Sequence, residues 1–139
     1  MPEPELISHD GDQVYGLPAL ENNDGFTNAQ SFMNVVETIL NVTYVYLAHN
    51  TQWPGAPVVG FATAVMTLSK TILYGLNEYY CGFCQIGHND ALTLAVYWIL
   101  PNGFWIVVPS MIVWVLGKNI AQSLVIASGS SKARSKKTN

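Results

Sequence analysis

The sequence predicts an all-α integral membrane protein of three transmembrane helices. Three observations carry this reading. Half of the 139 residues are hydrophobic and only 11% are charged, against about 25% charged in an average soluble domain. The charges are sorted along the chain: residues 1–30 hold six acids and no base, and residues 91–139 hold five bases and no acid. Residues 31–117 hold three long apolar segments whose only charges are Glu37 and Lys70. A formal net charge of −3 without a basic face excludes a nucleic-acid-binding domain. The length allows one domain.

Residues 1–30 are acidic and rich in Pro, Gly, Asn and Asp, which predicts an extended polar arm. The arm has neither the basic start nor the apolar core of a signal peptide, and it lacks the arginines of a mitochondrial presequence.

The first apolar segment spans about residues 31–48 and the second about 57–77. The third, 91–117, is 27 residues without a charge and includes Trp98, Trp105 and Trp114. A bilayer core of about 30 Å needs about 20 apolar residues in a helix. The soluble alternative is a buried core helix, but a chain this short cannot wrap an uncharged helix of that length. The turns predicted at 49–56 and 78–90 carry Trp53, Tyr79 and Tyr80 as interfacial anchors. Pro101 and Pro109 predict a kink in the third segment. The helical domain is expected over 31–120 and a basic cytosolic tail over 121–139.

The positive-inside bias then places the C-terminus in the cytosol and the acidic arm in the lumen. The ending Lys136-Lys137-Thr138-Asn139 resembles a dilysine retrieval signal, which predicts a multi-pass protein of the endoplasmic reticulum membrane. The plainer reading is a basic tail near anionic lipid. Asn41-Val42-Thr43 matches a glycosylation sequon but falls inside a span.

An ionisable group inside a bilayer costs roughly 2.5–3.5 kcal/mol, so Glu37 leads the functional candidates. Glu37 and Lys70 each lie about two turns inside the same side of antiparallel segments, hence at similar depth. One reading is a buried ion pair that only joins two helices. The sharper one is a carboxyl poised for proton transfer. Asn41 lies one turn from Glu37 on the same face, and Asn34 extends that face. Asn102 and Trp105 share a face of the third segment; a Trp ring stabilises a cation by cation–π attraction, although most Trp residues only pack. Cys81 and Cys84 read as a disulfide or two free thiols. With a single His nearby, a metal site there is weak. No metal and no cofactor are expected.

Together these residues carry a resemblance. Val36-Glu37-Thr38-Ile39, then Leu73-Tyr74-Gly75-Leu76-Asn77-Glu78 with Gly82-Phe83, then Asn102-Gly103-Phe104-Trp105 with Val108-Pro109, resemble the emopamil-binding protein (EXPERA) family. That family includes the sterol Δ8–Δ7 isomerase. The likeness covers residues 35–118, matching the C-terminal three of five helices. It implies an intramembrane cavity holding a sterol or related polycyclic terpenoid, whose double bond is protonated to a carbocation that then loses a neighbouring proton. Glu37 would transfer protons, Asn102 would orient polar groups and Trp105 would face the cation. Asn41, Tyr74 and Glu78 are expected to bind substrate.

The chain departs from the family at two places. The family's threonine three residues after the glutamate is Leu40 here, and the His and second Glu of its second helix have no counterpart in any span. A truncated or divergent member is therefore expected, or one completed by a homo-oligomer or a second subunit. The family also includes members that bind sterols without isomerising them.

Overall fold

The computed structural model describes Asn23 and residues 25–137, with side chains described as far as Ser130. Most of the acidic arm and the dilysine side chains lie outside the described residues. Those described are helical, with no strand among them. The helices are α1 (Gly25–His49), α2 (Ala56–Tyr80), α3 (Ala91–Leu94), a π turn (Ala95–Ile99) and α4 (Leu100–Lys137). The last three run into one another without a break.

Two helices are long and apolar enough to cross a membrane: Ala56–Tyr80 and the continuous Ala91–Ser130. Little of either apolar surface is covered by the rest of the described chain. The first helix is not among these, because Gln30, Asn34, Glu37 and Asn41 line one of its faces at a spacing of three to four residues.

All three helices differ in extent from the apolar runs. α1 begins at Gly25, and Gln30 continues its polar face, sending its side-chain N–H to the Lys70 carbonyl at 3.4 Å. α2 continues to Tyr80, so Glu78, Tyr79 and Tyr80 belong to its last turn rather than to a loop. α4 runs through the basic tail to Lys137, where no proline interrupts it.

The connections follow local chemistry. Trp53, Pro54 and Gly55 turn the chain into α2, which has a proline in its first turn, where a missing N–H costs nothing. A Cβ at Gly55 would meet the Trp53 ring at 2.4 Å, so a larger residue there would require this exposed ring to swing aside. The second turn holds the Cys81–Cys84 disulfide, with Gly82 and Phe83 in the left-handed region. Asp90 then caps α3, accepting from Leu92 N–H at 2.9 Å and Thr93 N–H at 3.3 Å.

α2 is the central element. It packs on α1 and on α4, whereas α1 and α4 scarcely meet. Its buried face carries the small residues Ala56, Gly60, Thr63, Ala64 and Thr67, which let neighbouring backbones approach. The result is a groove between α1 and the third helix, floored by α2.

The expected disruption at the prolines takes a specific form. Pro101 cannot donate to the carbonyl four residues back. The turn before it widens, and the Leu100 N–H bonds five residues back to the Ala95 carbonyl. The helix then continues through Pro109.

Candidate functional site

The groove divides into two chambers. The larger, about 500 Å³, is lined by Asn34, Glu37, Asn41, Lys70, Tyr74, Asn102 and Trp105 among others. The smaller, about 330 Å³, is mostly apolar, with Tyr44, Ala64, Phe104, Val108 and Ile112 in its wall. Glu37, Asn41, Thr67 and Trp105 line both, so they form the partition. Each volume falls in the range of about 300–1,000 Å³ usual for small-molecule sites. The flank at Tyr97 and Trp105 is open, and Trp105 is 57% exposed.

Periodicity explains the convergence. Gln30, Asn34, Glu37 and Asn41 recur every three or four residues along α1, as do Thr67, Lys70 or Thr71, and Tyr74 along α2. Each set therefore shares one face.

Glu37, only 8% exposed, is held from two sides. Its Oε2 lies 2.7 Å from the Lys70 ammonium, and the Thr67 hydroxyl lies 2.5 Å from its Oε1. That hydroxyl also lies 3.1 Å from the Thr63 carbonyl. One proton serves one acceptor at a time, and the shorter contact to a charged oxygen is the stronger. The Lys70 ammonium donates to Asn34 Oδ1 as well. The equal depth expected of Glu37 and Lys70 is thus realised as a direct ion pair.

Asn102 donates its side-chain N–H to the Trp98 carbonyl at 2.8 Å, inside the π turn. It lines the larger chamber while satisfying backbone there. Tyr74, buried, accepts from the Trp98 indole N–H at 2.9 Å. The three tryptophans therefore divide: Trp98 buttresses Tyr74, Trp105 lines both chambers, and Trp114 lies under Lys118 at 5.6 Å.

Glu78 sits elsewhere. It is 0% exposed but lines neither chamber, and its Oε2 accepts the Gln85 N–H at 3.2 Å. Glu78 thus lies apart from the other expected site residues and fastens the 81–89 turn to the end of α2. Its carboxylate lies within 4.8 Å of both cysteine sulfurs. Those sulfurs are bonded to each other, which settles the two readings left open for the cysteines.

Thr67 is not marked by the sequence as a site residue. The available signal was its position three residues before Lys70, facing the same side. Nothing in the sequence marks the bond of Trp98 to Tyr74. No family model, no curated protein and no solved structure matches this chain.

Proposed function

We propose that this chain is a membrane-embedded isomerase acting on a sterol or related polycyclic terpenoid. The observation that carries the reading is the place of Glu37, a single buried carboxylate on the partition between a polar and an apolar chamber. A polycyclic hydrocarbon with one oxygenated end suits such a pair of spaces. Trp105, on the same partition, offers a ring face to a cation. The long exposed apolar surfaces of α2 and the third helix suit lipid rather than water. The resemblance to the EXPERA family supplies the reaction class: protonation of a ring double bond, then loss of a proton from the adjacent carbon. The endoplasmic reticulum membrane, with a cytosolic C-terminus, is the proposed location. A second copy or another subunit would close the open flank.

The test is turnover of a Δ8-sterol by the full chain in lipid nanodiscs. Glu37→Gln should lower the rate by about 10²–10⁴-fold, the usual worth of a positioned acid or base. Isomerisation by this variant at the wild-type rate would remove Glu37 from the chemistry.

One observation favours a second reading, a non-catalytic sterol-binding protein. Among the described residues Glu37 is the only acid lining either chamber, whereas the isomerases of the resembled family have further proton-handling groups. Photolabelling by a sterol without any turnover would favour that reading.

A further inference from the structure

The proposed reaction adds a proton at one carbon and removes one from its neighbour, yet among the described residues the chambers hold one acid. Lys70 lines the larger chamber, with Nζ 2.7 Å from Glu37 Oε2. If Lys70 remained an ammonium, it would repel a carbocation formed beside Glu37. We infer that Lys70 is the proton store of the site and acts through Glu37, an inference that rests on the isomerase reading above.

The steps balance without an external reactant. A Lys70 N–H bond breaks and its proton forms an O–H bond on Glu37 Oε2, leaving a neutral amine and a carboxylic acid. Removing both charges at once suits a pair whose side chains are only 14% and 10% exposed, where ions are costly to desolvate. The π electrons of the substrate double bond then take the Glu37 proton, forming C–H and leaving a carbocation with a carboxylate beside it. That carboxylate removes a proton from the adjacent carbon, whose C–H electrons become the new double bond. The proton returns to the Lys70 amine, and the ion pair is restored.

The surrounding contacts fit this use. Thr67 holds Oε1 at 2.5 Å and leaves Oε2 to Lys70. Asn34 Oδ1 orients the ammonium from the other side. A pair serving only to join α1 to α2 would need neither a chamber beside it nor a cation that can lose its proton.

Lys70→Arg separates the two roles, because a guanidinium keeps its charge and can pair with Glu37 but does not give up a proton. The full chain in nanodiscs is assayed for Δ8-sterol turnover against pH. The infrared carbonyl band of a protonated carboxyl is recorded in parallel on wild type, Lys70→Arg and Glu37→Gln. The expected result is no protonated-carboxyl band in the resting protein, where the ion pair stands, and a band on addition of the sterol in wild type that both variants lack. Turnover by Lys70→Arg should fall by about a hundredfold, within the usual worth of proton transfer, and should not recover at any pH. Wild-type turnover by Lys70→Arg, with Glu37→Gln inactive, overturns the proton store and leaves the isomerase reading standing. Wild-type turnover by both variants removes the isomerase chemistry from Glu37 and the store with it. If wild type turns over no Δ8-sterol, or if Lys70→Arg does not fold, the band that sterol addition raises in wild type and its absence in Glu37→Gln decide: present, Lys70 passes its proton to Glu37; absent, the inference fails.

Discussion

The Trp98 indole N–H meets the Tyr74 hydroxyl at 2.9 Å, with the two rings tilted at 47° and their centroids 6.0 Å apart. This contact ties α2 to the π turn, and it sets where Tyr74 enters the larger chamber. Both Trp98→Phe and Tyr74→Phe should destabilise the protein by about 1 kcal/mol, the usual net worth of a hydrogen bond. The double variant should cost less than the sum, with a coupling of about 0.5–1.5 kcal/mol. Thermal unfolding of the four proteins in micelles measures the cycle. Additive losses would mean that the bond carries no energy of its own.

A Cβ at Gly60 would lie 2.7–3.0 Å from three atoms of the Tyr44 ring. The close approach of α1 to α2 depends on the missing side chain. Gly60→Ala must push the ring aside into the smaller chamber, which both residues line. The expected cost is about 1–3 kcal/mol, as for other overpacked contacts. Tyr44→Ala in the Gly60→Ala background should restore part of the loss. A Gly60→Ala protein with unchanged melting temperature would show that the two helices are free to separate.

Glu78 is the buried acid whose role the sequence conceals. Its Oε2 accepts the Gln85 N–H at 3.2 Å, bridging the end of α2 to the disulfide turn. Hydrogen bonds to charged groups are worth about 1.5–3 kcal/mol. Glu78→Ala should therefore speed hydrogen exchange at the Gln85 amide by roughly ten- to a hundredfold. Exchange at amides in the middle of α2 should change much less. Equal acceleration along the whole helix would mean that Glu78 supports the bundle rather than the turn.

The sequence makes some of this site readable and hides the rest for physical reasons. The Glu37–Lys70 pair is legible because helix direction and depth follow from where the apolar runs begin and end. The shared face of Glu37 and Asn41 follows from helical periodicity alone. Glu78 misleads because a charge followed by two tyrosines and a CxxC looks like a solvated turn, whereas the helix continues to Tyr80 and buries it. Pro101 announces a disturbed helix, but the form of the disturbance depends on what takes up the freed carbonyls. Asn102 bonding the Trp98 carbonyl is one part of that answer. The bond from Trp98 to Tyr74 depends on how α2 and the π turn are placed against each other, which neither segment encodes alone.

Asp90 supplies a pH dependence whose sign can be worked out. Its carboxyl titrates below its usual value, first because the Thr93 hydroxyl donates to it and then because the Thr93 and Leu92 N–H groups do. The ionised form is thus the one the folded cap prefers, and the positive end of the helix adds to that preference. Above the ordinary carboxylate range, near pH 4, Asp90 is ionised in both folded and unfolded chains, and the cap contributes in full. As pH falls through the depressed folded value, the native carboxylate must accept a proton and the contribution is lost. Asp90→Asn keeps a neutral cap without the titration. Wild type should therefore melt above Asp90→Asn at pH 7, and the gap should narrow as pH is lowered to about 3, below the ordinary carboxylate range, and close only below the depressed folded value. Comparing the two proteins at each pH cancels the other titrating groups. A gap of the same size at both pH values would show that the charge on Asp90 contributes nothing to the start of α3.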